Sequence, residues 1–311
     1  MPPPDPSSSR VPGPWAHRDV SANGIRLHVA ELGDGPLVLL LHGFPEFWWT
    51  WRHQLPALAE AGYRAVAVDL RGYGDSDKPP RGYDGFTLAG DVAGLVKALG
   101  ATRAHLVGHA WGGMLAWTVG AMHPRLVSSV TAVAAPHPLA LRRAIRRHPR
   151  RQGRASAHVF RFQLPLLPER GLTRDGAAAV GGLFTAWSGP KWTASPEFDE
   201  VVRRNRGAVL VPGVAHSALE YYRWAVRSQL RSDGRRFAEA IDRRLEVPVL
   251  QVHGALDPVV LESTATASGQ WAGPNSALHV LPGVGHFPHQ ESPRTTTKLI
   301  SEFLGSGPGP A

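Results

Sequence analysis

Cysteine is absent from the 311 residues, which excludes disulfides, thiolate metal sites and a thiol nucleophile. That absence also fits a cytoplasmic protein. No apolar run reaches the ~18 residues of a spanning helix, so no transmembrane segment is expected. The opening stretch, Met1 to Pro14, lacks the basic-then-apolar order of a secretory signal. It is rich in Pro and Ser and reads as a disordered arm. Acid is the scarcer charge, with 25 Asp and Glu against 34 Lys and Arg, a formal net charge of +9.

Much of the basic excess sits in Arg142 to Arg154, which holds seven arginines. A solvated helical face is the plain reading, and contact with an acidic membrane or partner surface is the other. No zinc-finger spacing, helix-turn-helix signal or RNA-binding aromatic motif accompanies the run, so no nucleic-acid partner is expected. Hydrophobic residues make up 43% of the chain and charged residues 19%, a globular composition. The length allows one large α/β core or two ordinary domains. A homo-oligomer stays open.

Apolar, β-branched stretches run into turn residues at Leu37–Leu41, Ala65–Val68, Ala104–Val107 and Val247–Val252, with another inside Leu126–Ala135. Helical patterns lie between most of them. This alternation predicts an α/β fold, a mostly parallel, doubly wound sheet covered on both faces. Function in such sheets collects at the carboxyl ends of the strands. From about Leu139 to Ala240 the chain is helical, Arg-rich and broken by Pro and Gly, which predicts an inserted cap. The core would then be Trp15–Pro138 plus Ile241–Leu304, with a flexible tail from Gly305. No internal repeat is found.

Gly108-His109-Ala110-Trp111-Gly112-Gly113 follows an apolar strand and opens a helix. This is the spacing of a nucleophile elbow, in which a sharp turn lifts the central side chain above the sheet. A glycine-rich turn without chemistry is the plain alternative. His42-Gly43-Phe44-Pro45-Glu46 follows an earlier strand, and such a loop can aim the Phe44 N–H at the same space. The Phe44 and Trp111 amides would form a two-donor oxyanion hole. The aromatic run Phe47 to Trp51 reads mainly as packing. Asp257 and His286 lie in loops after later strands, giving the order nucleophile position, acid, His. Such an acid orients the imidazole, and the imidazole acts as base. A turn aspartate and a surface histidine are the plain alternatives. His289 is three residues from His286, but no third ligand pattern supports a metal.

Together these motifs, with Val68-Asp69-Leu70-Arg71-Gly72-Tyr73-Gly74-Asp75-Ser76, resemble the epoxide hydrolase group of the α/β-hydrolases. The resemblance spans about Trp15 to Leu304. It implies an aspartate at the elbow that attacks an epoxide carbon and forms an ester. A His–Asp pair then activates water to cleave the ester. Two cap tyrosines hydrogen-bond the epoxide oxygen, and no cofactor or metal is required.

This chain departs from that pattern twice. Ala110 stands at the nucleophile position, and a methyl group can neither attack nor form an ester. His158 falls where the resemblance places the first tyrosine, and it is equally readable as an ordinary cap histidine. Tyr222 falls on the second tyrosine, with Tyr221 its substitute if the register shifts by one. Asp75, Asp77 and Asp257 are the other nearby acids, and none sits on the elbow. A dehalogenase reading needs the same missing aspartate.

Three readings of Ala110 follow. One is a replaced aspartate in a hydrolase now poorly active by the ester route. Another is a non-covalent enzyme using His286–Asp257 as general base. The last is a small-molecule binding protein on a dead hydrolase scaffold. Each needs an apolar pocket for a hydrophobic small molecule. Its expected lining is Phe44, Trp111, Phe160, Phe162, Tyr222 and Trp224, with Tyr221 beside them.

Overall fold

The computed structural model describes residues 3–305. Its sheet has the strand order β1-β2-β4-β3-β5-β6-β7-β8. The strands are β1 Ala16–Ala22, β2 Ile25–Leu32, β3 Leu37–Leu41, β4 Arg64–Val68, β5 Ala104–His109, β6 Val127–Val133, β7 Val249–Gly254 and β8 Ala277–Leu281. β1–β2 and β2–β4 are antiparallel, and every later pairing is parallel. The predicted α/β class and mostly parallel sheet are borne out.

The central strands are apolar because both faces are covered. All five residues of β3 are buried, and Leu39 lies between Val66 and Leu106. Because β3, β5, β7 and β8 run parallel, the loops that follow them emerge at one edge of the sheet. That edge receives Phe44, Ala110, Asp257 and His286.

β1, β2 and β8 were not singled out in the sequence. β1 and β8 are the sheet's edges, and most residues of both are exposed or half-buried. Their polar faces hide the apolar signal that the central strands carry.

On the core are α1 Gln54–Glu60, α2 Gly85–Ala98 and α3 Trp111–Met122. Between β6 and β7 the chain is helical, with α4 Pro138–Arg147, α5 Ala157–Arg161, α6 Leu167–Trp187, α7 Pro190–Thr193, α8 Pro196–Leu210, α9 Val214–Arg227 and α10 Ser232–Ile241. Left-handed backbone at Asp175, Gly176 and Ala177 interrupts α6. After β7 come α11 Glu262–Ala267, α12 Pro288–Glu291 and α13 Pro293–Gly305. Among the described residues no helix is long and apolar enough to cross a membrane.

The arm from Met1 to Pro14 needs correction where it is described. Pro6–Ser9 form a 3-10 turn capped by Asp5, and Val11 is 5% exposed within the core cluster. The Trp48 indole N–H donates to the Ser9 carbonyl at 2.7 Å, and Arg10 pairs with Asp19 and Asp75. Trp48 and Asp75 lie far along the chain, so local composition does not reveal these contacts. Gly305 closes α13. The rest of the expected tail, residues 306–311, and the arm's first two residues lie outside the described residues.

Candidate functional site

At the end of β5 the backbone turns through Ala110 at φ 45°, ψ −113° and enters α3. A non-glycine residue there is strained, and the surrounding structure must hold it. The Ala110 N–H donates to the Val133 carbonyl at 3.0 Å, and the Ala110 carbonyl accepts from Met114 N–H at 2.9 Å. The flanking glycines are sterically required. A Cβ on Gly108 would lie 2.2 Å from the Gly112 carbonyl oxygen, and one on Gly112 would lie 2.1 Å from that of Leu41. The sequence thus builds an elbow whose apex carries only a methyl group.

Trp111 is the first residue of α3, so its N–H has no acceptor within the helix. The Phe44 N–H has no protein acceptor among the described residues. Both residues line the cavity above Ala110.

Asp257 and His286 come together beside this cavity, and of the two His286 lines it. His286 Nδ1 lies 2.8 Å from Asp257 Oδ2, and both side chains are buried. Asp257 Oδ1 accepts from the Val259 and Val260 amides at 2.8 and 3.0 Å. Burial would raise the Asp257 pKa, but the imidazole and these amides outweigh it and leave the pKa lowered. The ring nitrogen facing Asp257 therefore carries a proton. His286 Nε2 has no protein partner among the described residues, and His286 lines the cavity. Its lone pair is available there.

The sequence reading missed what fixes His286. The Glu291 carboxylate accepts from the amides on both sides of it, Gly285 at 2.8 Å and Phe287 at 2.9 Å. Glu291 also accepts from the Gly189 amide at 2.8 Å, beside the start of α7. The His286 N–H itself donates to the Trp187 carbonyl at 2.7 Å. Proximity to His286 in sequence was the only available signal for Glu291.

A second histidine–carboxylate pair lies behind the elbow. His109 Nδ1 is 2.6 Å from Glu46 Oε2, and His109 Nε2 is 2.8 Å from the His286 carbonyl. Both partners are acceptors, so this ring must carry both protons. Burial opposes that charge, but Glu46 outweighs it and raises the His109 pKa. Burial likewise opposes the Glu46 charge, but His109 and His289 hold its pKa well below the usual range. Thr50 and Gln290 also donate to Glu46, at 2.5 and 2.7 Å. His289 Nε2 meets the Thr50 hydroxyl at 2.6 Å, and burial lowers the His289 pKa to about 4. Glu46, His109 and His289 cluster closely enough to suggest metal ligands. Hydrogen bonds already account for the facing atoms of all three.

The cavity has a volume of about 470 Å³. Tyr222 lines it, and burial raises its pKa, partly offset by a hydrogen bond with the Trp111 side chain. The Tyr222 hydroxyl therefore stays protonated near neutral pH. His158 lines the cavity with its ring centroid 5.7 Å from that of Tyr222. Burial is the largest cause lowering the His158 pKa to about 4, so this imidazole is neutral at pH 7.

Phe44, Trp111, Phe160 and Trp224 line the cavity as expected, although Phe160 is 51% exposed. Phe162 does not line it. This ring packs behind, against Phe44 and Tyr222 at centroid distances of 5.5 and 5.1 Å. Tyr221 contributes only its ring, because its hydroxyl donates to the Arg71 carbonyl at 2.8 Å. It therefore cannot substitute for Tyr222.

The alpha/beta hydrolase fold family model matches residues 36–293. Epoxide hydrolase A of Mycobacterium tuberculosis is 33% identical over 319 residues, covering 94% of this chain and 98% of that protein. An AB hydrolase superfamily protein of Bacillus subtilis, YfhM, is 33% identical over 290 residues, covering 92% and 96%. Among solved structures, an epoxide hydrolase from an endophytic Streptomyces superposes with a TM-score of 0.80 at 30% identity, covering 94% of this chain and 96% of that one.

Proposed function

This chain belongs to the alpha/beta hydrolase fold family, in its epoxide hydrolase group, and on that premise we propose that it binds a hydrophobic epoxide above Ala110 and opens it only slowly, without an ester intermediate. The observation that carries this reading is the His286 Nε2 lone pair, held by Asp257 and facing an apolar cavity. The dyad and the pocket accompany an elbow whose apex carries a methyl group.

The route open to these residues is direct hydration. His286 Nε2 takes a proton from water as the water oxygen attacks an epoxide carbon. The strained C–O bond breaks, and its electron pair stays on the epoxide oxygen. Tyr222 donates a hydrogen bond to that developing alkoxide and then a proton, with neutral His158 a second donor. Proton return from imidazolium to tyrosinate, through water, restores the site and leaves a vicinal diol. Loss of a covalent nucleophile typically costs a factor of roughly 10⁴ to 10⁶, so turnover by this route is slow.

Ala110→Asp tests the proposal, because the two free amides and the dyad would serve a restored carboxylate. Epoxide opening by the variant should rise at least ~10³-fold over the parent chain. A folded variant that opens none of a broad epoxide panel would overturn the assignment. The binding-protein reading draws support from the intact cavity. His286→Ala separates it, since ligand retention without any turnover to lose would favour binding alone.

A further inference from the structure

The arginine run that the proposed chemistry leaves unused begins on the wall of the same cavity. Pro138, Leu141, Arg142, Ile145 and Arg146 line it, at positions that share one face of α4. The other face lies against α11 and its following turn. There Arg143 is engaged with Gln270 and Asp242, and its guanidinium lies 4.6 Å from the centroid of the Trp271 ring.

Arg142 and Arg146 have no such partners. Neither side chain forms a hydrogen bond or ion pair among the described residues. The cavity lining includes these two arginines and no Asp or Glu. From Pro138, which follows β6 and the elbow region, to Arg146 is about 12 Å along the helix axis. Over that length α4 passes from buried Leu139 to exposed Arg146. The wall therefore starts apolar near the chemistry and ends cationic at the solvent.

We propose that the cavity takes an amphiphile with an extended apolar body and a terminal anionic group, and that Arg142 and Arg146 bind the anion at the mouth. Guanidinium groups pair with carboxylate or phosphate oxygens by paired N–H donors. An uncharged end would leave both cations unpaired, whereas an anionic end anchors the ligand with its apolar body running towards Ala110. The inference rests on the reading that the cavity above Ala110 is the ligand site.

The test uses the full chain as it stands, with decanoate, decyl phosphate and 1-decanol titrated by calorimetry at low and high salt. Rim ion pairs are weak singly, so two of them should favour decanoate over decanol by about fivefold to tenfold at low salt. R142Q/R146Q should abolish that preference, bringing decanoate affinity to that of decanol. Relative affinities of decanoate and decyl phosphate tell a carboxylate head from a phosphate head, and preference for either over decanol supports the proposal. Equal affinity for all three probes, or an anion preference that survives in R142Q/R146Q, would overturn it. Failure of every probe to bind would overturn the cavity reading and this inference with it.

Discussion

Two buried histidine–carboxylate pairs meet at His286, and they differ in one lone pair. His109 has an acceptor on each ring nitrogen, Glu46 on one side and the His286 carbonyl on the other. It is held doubly protonated and has nothing left to give or take. His286 has an acceptor on Nδ1 only, and its other nitrogen faces the cavity. The same pair of residue types is therefore a closed brace in one place and, in the mechanism we propose, a base in the other. What separates them is the number of partners, not the pair itself.

The sharpest way to break this comparison is to weaken both pairs in the Ala110→Asp background. Asp257→Asn should cut epoxide turnover by roughly 10³-fold or more, because the orienting carboxylate is lost. Glu46→Ala should instead act on stability. Removing one partner of a buried pair costs roughly 3–5 kcal/mol, read as a lowered urea midpoint, while turnover per folded molecule falls less than about tenfold. Turnover loss equal to that of Asp257→Asn would make His109 more than a brace.

Acid gives the smaller effect. His289, beside Glu46, and His158, on the cavity wall, are both buried, with pKa values lowered from 6.5 to about 4. Between those values the unfolded chain binds protons that the folded chain refuses. Stability should therefore be full above pH 6.5 and fall as pH drops towards 4, by roughly 3 kcal/mol at most for each ring. Urea midpoints at pH 7, 5.5 and 4.5 measure it, and His158→Phe should flatten the slope. A slope unchanged in His158→Phe would show that this ring does not resist protonation.

The residues legible in the sequence are those whose roles depend on local spacing. Gly108, Gly112 and Gly113 announce a close approach of backbone that the structure needs within a single turn. Asp257 and His286 each follow a strand of the parallel sheet, so topology alone brings their loops to one edge. Glu46 was visible only as part of a loop motif. Its partners His109, Gln290 and Thr50 come from three segments, and no local pattern connects them. The orientation of Phe162, away from the cavity, depends on how α5 packs against α9. The docking of Arg10 depends on Asp75, 65 residues further along the chain. In each case the missing information is a long-range contact that composition and periodicity do not encode.

Glu291 grips the amides of Gly189, Gly285 and Phe287 with one carboxylate. The first belongs to the helical insertion and the other two flank His286, whose own N–H is held by Trp187. Roof and imidazole are thus stapled to one another. Any displacement of Trp187 or Gly189 would therefore be passed to the backbone that aims the ring at Asp257.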